Sequence, residues 1–240
     1  MKDIRVIILA GGKGTRLKPY TTVFPKPLMP IGDMPILEVV LRQLKSFGFE
    51  KITLSVNHLS DLIKTFFGDG HKFGLEISYC IEDKPLGTAG SISLVDNVTE
   101  NFLVMNGDLL TTIDYGQMMQ SHMASKATAT IGVFNRQVKI DFGVLELGSR
   151  GELIEYKEKP KFDFLVSMGV NAFHKSALDF ISKAQYLDIP TLMMNLKNAG
   201  KDVLTYRPDC KWLDIGRPDD YEKAVELFST NKNCYLKEQQ

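Results

Sequence analysis

The chain has 240 residues, of which 44% are hydrophobic and 24% charged, and its 29 Lys and Arg residues balance its 29 Asp and Glu residues. That length suffices for one α/β domain with a substantial core. A net charge of zero gives no field that would attract a polyanion, so the composition excludes binding of nucleic acid through overall charge, and we expect small-molecule substrates.

Apolar runs in the sequence are of strand length, too short to cross a membrane, and residues 1–3 lead directly into the first of them without a signal-peptide core. We therefore expect a cytoplasmic protein with no membrane partner. The cysteines, Cys80, Cys210 and Cys234, have no Cys-x-x-Cys spacing, which is typical of reduced thiols rather than of disulfides or zinc ligands.

Residues 6–17 (VIILAGGKGTRL) have the pattern of a buried strand that runs into a glycine-rich turn. Gly11, Gly12 and Gly14 let backbone N–H groups approach phosphate oxygens without a Cβ in the way. Lys13 and Arg16 add charged donors to the same oxygens. The spacing matches neither a Walker loop nor a dinucleotide fingerprint. The turn predicts a triphosphate site, with a plain tight connection as the alternative.

Predicted strands and helices alternate in the first half of the chain, which is typical of a parallel sheet. Ligands of open α/β sheets gather at the carboxyl ends of the strands, so we expect Asp108 and the glycine-rich turn at one edge. The predicted elements are a helix over 36–48, a strand over 51–56, a helix over 61–67, a strand over 75–81, a helix over 90–95 and a strand over 101–105.

The second half is richer in predicted strands. Gly148 and Gly151 separate two of them and suggest a hairpin, and Pro218 opens the last helix with acidic residues near its positive end. The predicted elements are a helix over 115–124, strands over 128–134, 142–147, 152–156 and 166–173, helices over 176–183 and 190–199, a strand over 203–206 and a helix from 218.

Six motifs in order resemble those of one enzyme family. Residues 9–30 match a Gly-x-Gly-Thr-Arg-Leu signature followed by Pro-Lys-Pro, and LGTAG (86–90), NGD (106–108), FGV (142–144), EKP (158–160) and WLDIG (212–216) follow. The chain is identified as a member of the sugar-1-phosphate nucleotidylyltransferase (NDP-sugar pyrophosphorylase) family, similar to its mannose-1-phosphate guanylyltransferase-like members. The resemblance implies transfer of a nucleotidyl group from an NTP to a sugar 1-phosphate, giving NDP-sugar and pyrophosphate.

With this resemblance, we expect an α/β, Rossmann-like fold with a mostly parallel mixed sheet flanked by helices and a β-rich sugar-binding portion. Residues 1–230 would form a single domain, in which about 1–110 serve the nucleotide and about 111–230 the sugar phosphate. Residues 231–240 would be a polar tail. The expected partners are an NTP and a sugar 1-phosphate, with a homo-oligomer as a further possibility.

The resemblance implies four catalytic residues. Asp108 and Asp214 would be the ligands of Mg²⁺, which prefers carboxylate oxygens, although either could alone be a helix cap or turn residue. Arg16 would hold the β- and γ-phosphates that leave. Lys26, fixed between two prolines, would bridge the α-phosphate and the sugar phosphate. Because the attacking phosphate is already ionised, the reaction needs cations rather than a general base.

Glu82 is the residue predicted to select the base, since thymidylyl-type relatives commonly carry glutamine there. A carboxylate only accepts, so it suits the adjacent N–H donors of guanine and favours GTP. UTP or dTTP is the alternative because a carboxylate can accept one imide N–H, and Glu82 could also be a solvent-facing residue beside Asp83. The predicted nucleotide-binding residues are Leu9, Ala10, Gly11, Gly12, Gly14, Thr15, Arg16, Glu82, Gly87 and Thr88.

The predicted sugar-phosphate contacts include Lys26 and three residues from the FGV and EKP motifs. Lys159 would bind the phosphate, Glu158 would accept from sugar hydroxyls, and Gly143 would permit close approach of the hexose or be a plain hairpin glycine. Relatives often carry Asn-Ala-Gly-Ile-Tyr where this chain has residues 167–171 (SMGVN). Residues 170–172 (VNA) can instead be aligned with the family's Val-Asn-Ala, although the glycine that follows is missing here. This second alignment makes Asn171 a candidate sugar contact.

Two other functions remain open at this stage. A metal-dependent glycosyltransferase usually shows Asp-x-Asp at the strand end, whereas residues 107–109 here are Gly-Asp-Leu. A catalytically silent regulatory subunit would bind sugar nucleotide without turnover, and the presence of all four predicted catalytic residues argues against it.

Overall fold

The computed structural model describes residues 1–12, 14–57 and 59–236. Within them a seven-stranded sheet forms the centre of the fold, with short two-stranded sheets around it. The strands are β1 (Arg5–Leu9), β2 (Pro30–Ile31), β3 (Met34–Pro35), β4 (Lys51–Val56), β5 (Glu76–Ile81), β6 (Asn101–Asn106), β7 (Leu109–Thr111), β8 (Ala129–Lys139), β9 (Val144–Leu147), β10 (Leu153–Lys157), β11 (Lys161–His174), β12 (Val203–Tyr206) and β13 (Trp212–Asp214).

The central sheet has the order β12-β8-β11-β6-β1-β4-β5. β1 pairs in parallel with both β4 and β6, and β5 pairs in parallel with β4. β11 runs antiparallel between β6 and β8, and β12 pairs in parallel with β8. The predicted Rossmann-like, mostly parallel mixed sheet is confirmed. One edge of the sheet therefore collects the carboxyl ends of β1, β4, β5 and β6.

Helices cover both faces of the sheet, so alternate residues of one strand enter different cores. Val6 and Ile8 of β1 belong to one buried cluster and Ile7 to the other, as expected for a strand buried on both faces. The helices are α1 (Ile36–Ser46), α2 (Ser60–Phe67), α3 (Gly87–Gly90), α4 (Tyr115–Ser125), α5 (Ile189–Asn198) and α6 (Pro218–Tyr235), with 3₁₀ turns at Thr15–Leu17, Tyr20–Thr22, Lys26–Leu28, His71–Phe73, Ser91–Leu94 and Lys175–Phe180.

Two predicted helices are wrong in extent or type. The helix predicted over 90–95 begins at Gly87 and continues as the 3₁₀ turn Ser91–Leu94, and the one predicted over 176–183 is only a 3₁₀ turn ending at Phe180. Contacts between the two segments explain both differences. Leu187 donates its N–H to Leu86 O, and its carbonyl accepts from the N–H groups of Ala89 and Gly90, so residues after 180 are drawn onto the segment around Gly87.

The last helix extends past residue 230, where the sequence placed the end of the domain, and kinks at Asn231, whose φ of −135° and ψ of 32° are not helical. Tyr235 is 4% exposed and its ring lies 6.1 Å from that of Phe228. Its carbonyl accepts a hydrogen bond from Gln43 Nε2 at 3.0 Å. The predicted boundary thus falls inside α6 because Tyr235 packs onto α1. Across the described residues, no helix has the length and apolar character needed to cross a membrane.

Candidate functional site

A cleft of about 520 Å³ opens at the carboxyl edge of the sheet. Each residue predicted to bind nucleotide lines it, from the glycine-rich turn after β1 to Glu82, Gly87 and Thr88 after β5. Lys13, the first cation of the turn, lies outside the described residues. The topology explains the convergence: parallel strands bring their carboxyl ends to one edge, and the loops that follow them form the cleft.

Glycine is required at two positions of the turn by close contacts. A Cβ on Gly11 would lie 3.2 Å from the backbone N of Asn57 and 3.5 Å from Glu82 Oε1. Gly14 has φ +59°, and a Cβ there would lie 2.8 Å from Thr21 Cγ2. Thr21 donates its hydroxyl to Gly14 O at 2.7 Å, which fixes the turn. Glycine at these two positions therefore lets the turn pack closely against Asn57, Glu82 and Thr21.

Glu82 is held in the cleft by both carboxylate oxygens. The hydroxyl of Ser55, in β4, donates to Oε1 at 2.9 Å, and the N–H of Leu86 donates to Oε2 at 2.9 Å. The alternative of a solvent-facing glutamate is wrong, because the two bonds orient the half-buried carboxylate towards Gly11. Since each oxygen can accept twice, one acceptor position remains on each.

The Gly87 segment is built partly from the second half of the chain. Gly87 has φ +75°, and a Cβ there would lie 2.5 Å from Leu187 O. Thr88 Oγ1 accepts from the N–H of Ile189 at 2.8 Å. The ring of Tyr186, which is 70% exposed, borders the same glycine. One wall of the cleft therefore depends on the loop before α5.

The predicted catalytic residues are brought together. Lys26 donates to Asp108 Oδ2, and the two side chains are only 12% and 19% exposed. Asp214 lies in β13, which pairs with β7 directly after Asp108, and Ile215 donates its N–H to Asp108 O at 3.2 Å. A Cβ on Gly216 would lie 3.3 Å from Asp214 Oδ2 and 3.6 Å from Arg16 Nη1. Glycine there leaves room for the carboxylate and the guanidinium. Arg16, Lys26 and Asp108 line the cleft, whereas Asp214 lies next to them and is not one of its lining residues.

Two carboxylates share this corner of the site. Burial raises the pKa of Asp214, and the negative charge of Asp108 raises it further, while the positive charges of Lys26 and Arg16 act in the opposite direction. A divalent cation between the two would relieve their repulsion, so the donor set fits Mg²⁺. Among the residues that the structure describes, no cluster of three or more His, Cys, Asp or Glu side chains could hold a metal.

The predicted sugar-phosphate residues other than Lys26 do not line the cleft. Glu158 and Lys159 are exposed, with 4.0 Å between their charged groups, on the link from β10 to β11. The space that a Cβ of Gly143 would need is filled by the Tyr156 phenol, 2.4 Å away, so this glycine accommodates a tyrosine. Asn171 is 1% exposed within β11. It does not reach the cleft surface because it lies in the middle of the sheet.

Several lining residues were not predicted. Ser55 and Asn57 follow from the rule that ligands gather at strand ends, because β4 ends at Val56. Ser91 directly follows the LGTAG motif, and its buried hydroxyl has no hydrogen-bond partner among the described residues. The unpredicted residues are Pro27, Ser55, Asn57, Pro85, Ser91, Asn106, Gly107 and Gly216.

A Rossmann-like sheet with a glycine-rich turn, two cations and two aspartates at its carboxyl edge defines a nucleotide-binding α/β protein. The comparisons narrow this class. Residues 5–231 match the model of the nucleotidyl transferase family, and the chain belongs to that family, which includes sugar-1-phosphate nucleotidylyltransferases.

The names of relatives within this family indicate different nucleotide substrates. The chain is 31% identical to a UTP–glucose-1-phosphate uridylyltransferase of Synechocystis, over 92% of this chain and 62% of that protein. It is also 31% identical to a D-glycero-alpha-D-manno-heptose 1-phosphate guanylyltransferase of Aneurinibacillus thermoaerophilus, over 92% and 96%. The chain thus spans less than two thirds of the Synechocystis relative.

A solved structure shows the same fold. The protein of Bacillus anthracis assigned as a glucose-1-phosphate thymidylyltransferase, in complex with sucrose, superposes with a TM-score of 0.75 at 25% identity, covering 93% of this chain and 94% of that one. Because uridylyl, guanylyl and thymidylyl transferases all resemble the chain, the family alone does not identify the base.

Proposed function

We propose that this chain transfers a nucleotidyl group from an NTP, with GTP favoured, to a hexose or related sugar 1-phosphate, releasing pyrophosphate. The observation that carries the proposal is that Arg16, Lys26 and Asp108 line the cleft beside the glycine-rich turn, with Asp214 close enough to all three for their charges to act on it. Family membership supports the same reaction.

The chemistry that fits these residues is an in-line displacement at the α-phosphorus. A sugar phosphate oxygen attacks, the bond to the β-phosphate oxygen breaks, and pyrophosphate leaves. The nucleophile is already an anion, so the barrier comes from bringing two anions together. Lys26 would neutralise the α-phosphate and the incoming phosphate, and Arg16 would bind the β- and γ-phosphates. The buried ion pair keeps Lys26 close to this position before substrate arrives.

Asp108 and Asp214 would hold Mg²⁺ with phosphate oxygens and water as the other ligands. When bound, the ion would supply positive charge to the reacting phosphate oxygens. Asp108 accepts a hydrogen bond from Lys26. A bound cation would neutralise the Asp108 carboxylate in place of the lysine, and the Lys26 ammonium could then turn towards phosphate.

The geometry of Glu82 supports GTP. Its carboxylate is fixed by Ser55 and Leu86 and keeps one acceptor position on each oxygen. Guanine presents N1–H and N2–H side by side, which matches two neighbouring acceptors. Uracil and thymine place carbonyl acceptors beside their single N–H, and these would repel one carboxylate oxygen. UTP and dTTP remain the alternative substrates.

Glu158 and Lys159 stay proposed contacts of the sugar phosphate. Their contacts with other described residues are weak: the Lys159–Glu158 ion pair spans 4.0 Å at an exposed site, and the Tyr156 hydroxyl donates to Glu158 Oε2 at 3.4 Å. Their position outside the cleft means that the segment carrying them must approach the bound nucleotide for the proposal to hold.

A panel of substrates tests the proposed function. The full chain with Mg²⁺ would be assayed for pyrophosphate release from GTP, UTP, dTTP and ATP, each with mannose 1-phosphate and glucose 1-phosphate. We expect release that needs both substrates and is fastest with GTP. Nucleotide binding without release for every pair would favour a catalytically silent regulatory subunit. A parallel reaction supplied with GDP-mannose or UDP-glucose tests the other alternative, because release of free nucleoside diphosphate there, with no pyrophosphate release from the NTP pairs, would favour a glycosyltransferase.

A further inference from the structure

One serine at the cleft has a hydroxyl group that the protein itself does not use. Ser91 lines the cleft, yet the residue is 0% exposed. Its Oγ has no hydrogen-bond partner in the part of the chain that the structure describes. A buried hydroxyl without a partner is unfavourable, because it has lost its hydrogen bonds to water. Such a group at the wall of a cleft points to a ligand atom as its partner.

Ser91 lies on the side of the sheet that carries Glu82. Ser55 of β4 pairs with Cys80 of β5, and the Cys80 thiol donates a weak hydrogen bond to Ser91 O at 3.8 Å. Glu82 comes two residues after Cys80, and residues two apart along a strand share a face. The Ser55 hydroxyl donates to Glu82 Oε1 at 2.9 Å, which agrees with this placement. Ser91 is therefore at the same end of the cleft as the Glu82 carboxylate.

A neighbouring serine in the same segment is fully bonded. Ser93 donates its hydroxyl to Gly90 O at 2.7 Å and accepts from the N–H of Ala184 at 3.0 Å. Both serines belong to the 3₁₀ turn Ser91–Leu94, but Ser93 is not one of the residues that line the cleft. The serine bonded within the protein thus lies away from the cleft, and the serine at the cleft is the unpaired one.

The group that complements a free hydroxyl at this position is an acceptor on the base. In the proposed complex Glu82 accepts from N1–H and N2–H of guanine, and O6, which only accepts, is next to N1 on the same edge. The other neighbouring acceptor, N3, lies close to the ribose and hence towards the phosphates. O6 is farther from the ribose, so it enters deeper. A fully buried hydroxyl fits the deeper of the two acceptors.

We infer that the Ser91 hydroxyl donates to O6 of guanine and is a specificity contact of the nucleotide site. The inference rests on the proposed function, because it takes GTP as the nucleotide. Together, Glu82 and Ser91 would match the three groups along this edge of guanine. The hydroxyl that is unpaired in the free protein would gain its partner only when the nucleotide binds.

6-Thio-GTP tests the contact in the wild type. This nucleotide has sulfur, a weak acceptor, in place of O6, and it keeps N1–H and N2–H for Glu82. Calorimetric titration of the full chain with Mg²⁺ and without sugar phosphate should give a Kd for 6-thio-GTP about ten-fold above the Kd for GTP. Equal Kd values, or a wild type that binds neither nucleotide, would overturn the inference.

Ser91→Ala tests the residue. Its Kd for GTP should rise about ten-fold while its Kd for 6-thio-GTP changes little, so the two values become nearly equal. Ser93→Ala is the matched control, since it removes a hydroxyl from the same turn, and it should keep the wild-type ratio of the two Kd values. If Ser91→Ala also keeps that ratio, O6 is recognised by another group and the inference is wrong.

Unfolding of the nucleotide-free protein separates a ligand contact from a structural one. Ser91→Ala removes an unpaired buried hydroxyl, so its urea midpoint should equal or exceed that of the wild type. Ser93→Ala breaks two hydrogen bonds and should have a lower midpoint. A lower midpoint for Ser91→Ala would show that its hydroxyl is bonded in the free protein, against the inference.

Failure of the proposed function would give a different set of results. A wild type that prefers GTP to 6-thio-GTP in binding, but releases no pyrophosphate with any sugar 1-phosphate, would refute the transfer reaction and retain the Ser91 contact. Pyrophosphate release from GTP together with equal Kd values for the two nucleotides would retain the reaction and refute the contact.

Discussion

The ammonium group of Lys26 donates to Oδ2 of Asp108, which joins the proline-flanked segment to the end of β6 across 82 positions of sequence. The pair is nearly buried, and such a pair is maintained only if its charges compensate each other. In the proposed reaction Asp108 would help to hold Mg²⁺, and the Lys26 ammonium would bind phosphate. The ion pair therefore holds the Lys26 ammonium and the Asp108 carboxylate at the point where the phosphates would meet.

Lys26→Ala should lower kcat by about 100-fold or more and change the KM for NTP little, because its charge acts where two phosphates converge. Arg16→Ala should chiefly raise the KM for NTP, by about ten-fold. Steady-state pyrophosphate release separates the two effects. Lys18→Ala, an exposed lysine in the same segment, is the control and should behave as wild type. An effect of Lys26→Ala confined to the KM for NTP would reassign it to ground-state binding.

Asp108→Asn and Asp214→Asn should each reduce pyrophosphate release by about 100-fold or more, since an amide is a poor ligand for Mg²⁺. Asp214→Asn should keep its thermal midpoint, because the change removes a carboxylate that burial and Asp108 already disfavour. Asp108→Asn should lower the midpoint, because it leaves the nearly buried Lys26 ammonium without its partner. Removal of Mg²⁺ by EDTA should abolish wild-type activity, with recovery on adding Mg²⁺ back. Asp61→Asn, whose carboxylate is 98% exposed, is the control. Near-wild-type turnover of either cleft variant in Mg²⁺ would exclude its role as a metal ligand.

The sequence was informative about this site for a physical reason. Its residues follow strand ends, and the carboxyl edge of a parallel sheet brings such residues together whatever their separation in sequence. The strand predicted over 51–56 has the bounds of β4, and the glycine-rich turn and Glu82 line one cleft. The proximity of Asp214 to Asp108 was harder to predict from the sequence, because it depends on the antiparallel pairing of β13 with β7.

Sequence patterns did not predict strand ends on exposed surfaces or contacts between residues far apart in the sequence. The strands predicted over 128–134 and 166–173 stop where burial stops, yet β8 continues to Lys139 and β11 begins at Lys161. Hydrogen bonds between β8 and β11 stabilise the exposed parts of both strands. The hydrophobic pattern of the sequence does not reveal such bonds. Likewise, the bond from Ser55 to Glu82 joins residues 27 positions apart.

Gly87→Ala should destabilise the protein by about 2–4 kcal/mol, since it adds a Cβ at φ +75° and places it 2.5 Å from Leu187 O. Gly200→Ala is the matched control. It has nearly the same φ, +73°, but no atom lies within 4 Å of the added Cβ, so only the conformational cost of about 1 kcal/mol should appear. Urea unfolding of both variants measures the difference. Equal losses would show that Leu187 moves aside and that this wall of the cleft is not fixed by the contact.

Glu82→Gln should shift the preference of the enzyme from GTP towards UTP and dTTP. The amide oxygen can keep accepting from Leu86 N–H, whereas the amide NH₂ would turn to Ser55, whose hydroxyl can also accept. The base would then meet one donor and one acceptor, which match a carbonyl beside an imide N–H. We expect kcat/KM for GTP to fall by about ten-fold or more relative to UTP.

Ser55→Ala should weaken the same preference without introducing a donor, because it frees Oε1 and leaves the carboxylate held by Leu86 alone; the KM for GTP should rise about three- to ten-fold with kcat nearly unchanged. Inosine triphosphate, which lacks the N2 amino group, provides the substrate-side measurement. The wild type should favour GTP over ITP by about ten-fold, and Glu82→Gln should reduce that ratio. Asp83→Asn, at the exposed neighbouring position, should leave every ratio unchanged. If Glu82→Gln also preserves the order of GTP, UTP and dTTP, the base is selected elsewhere in the cleft.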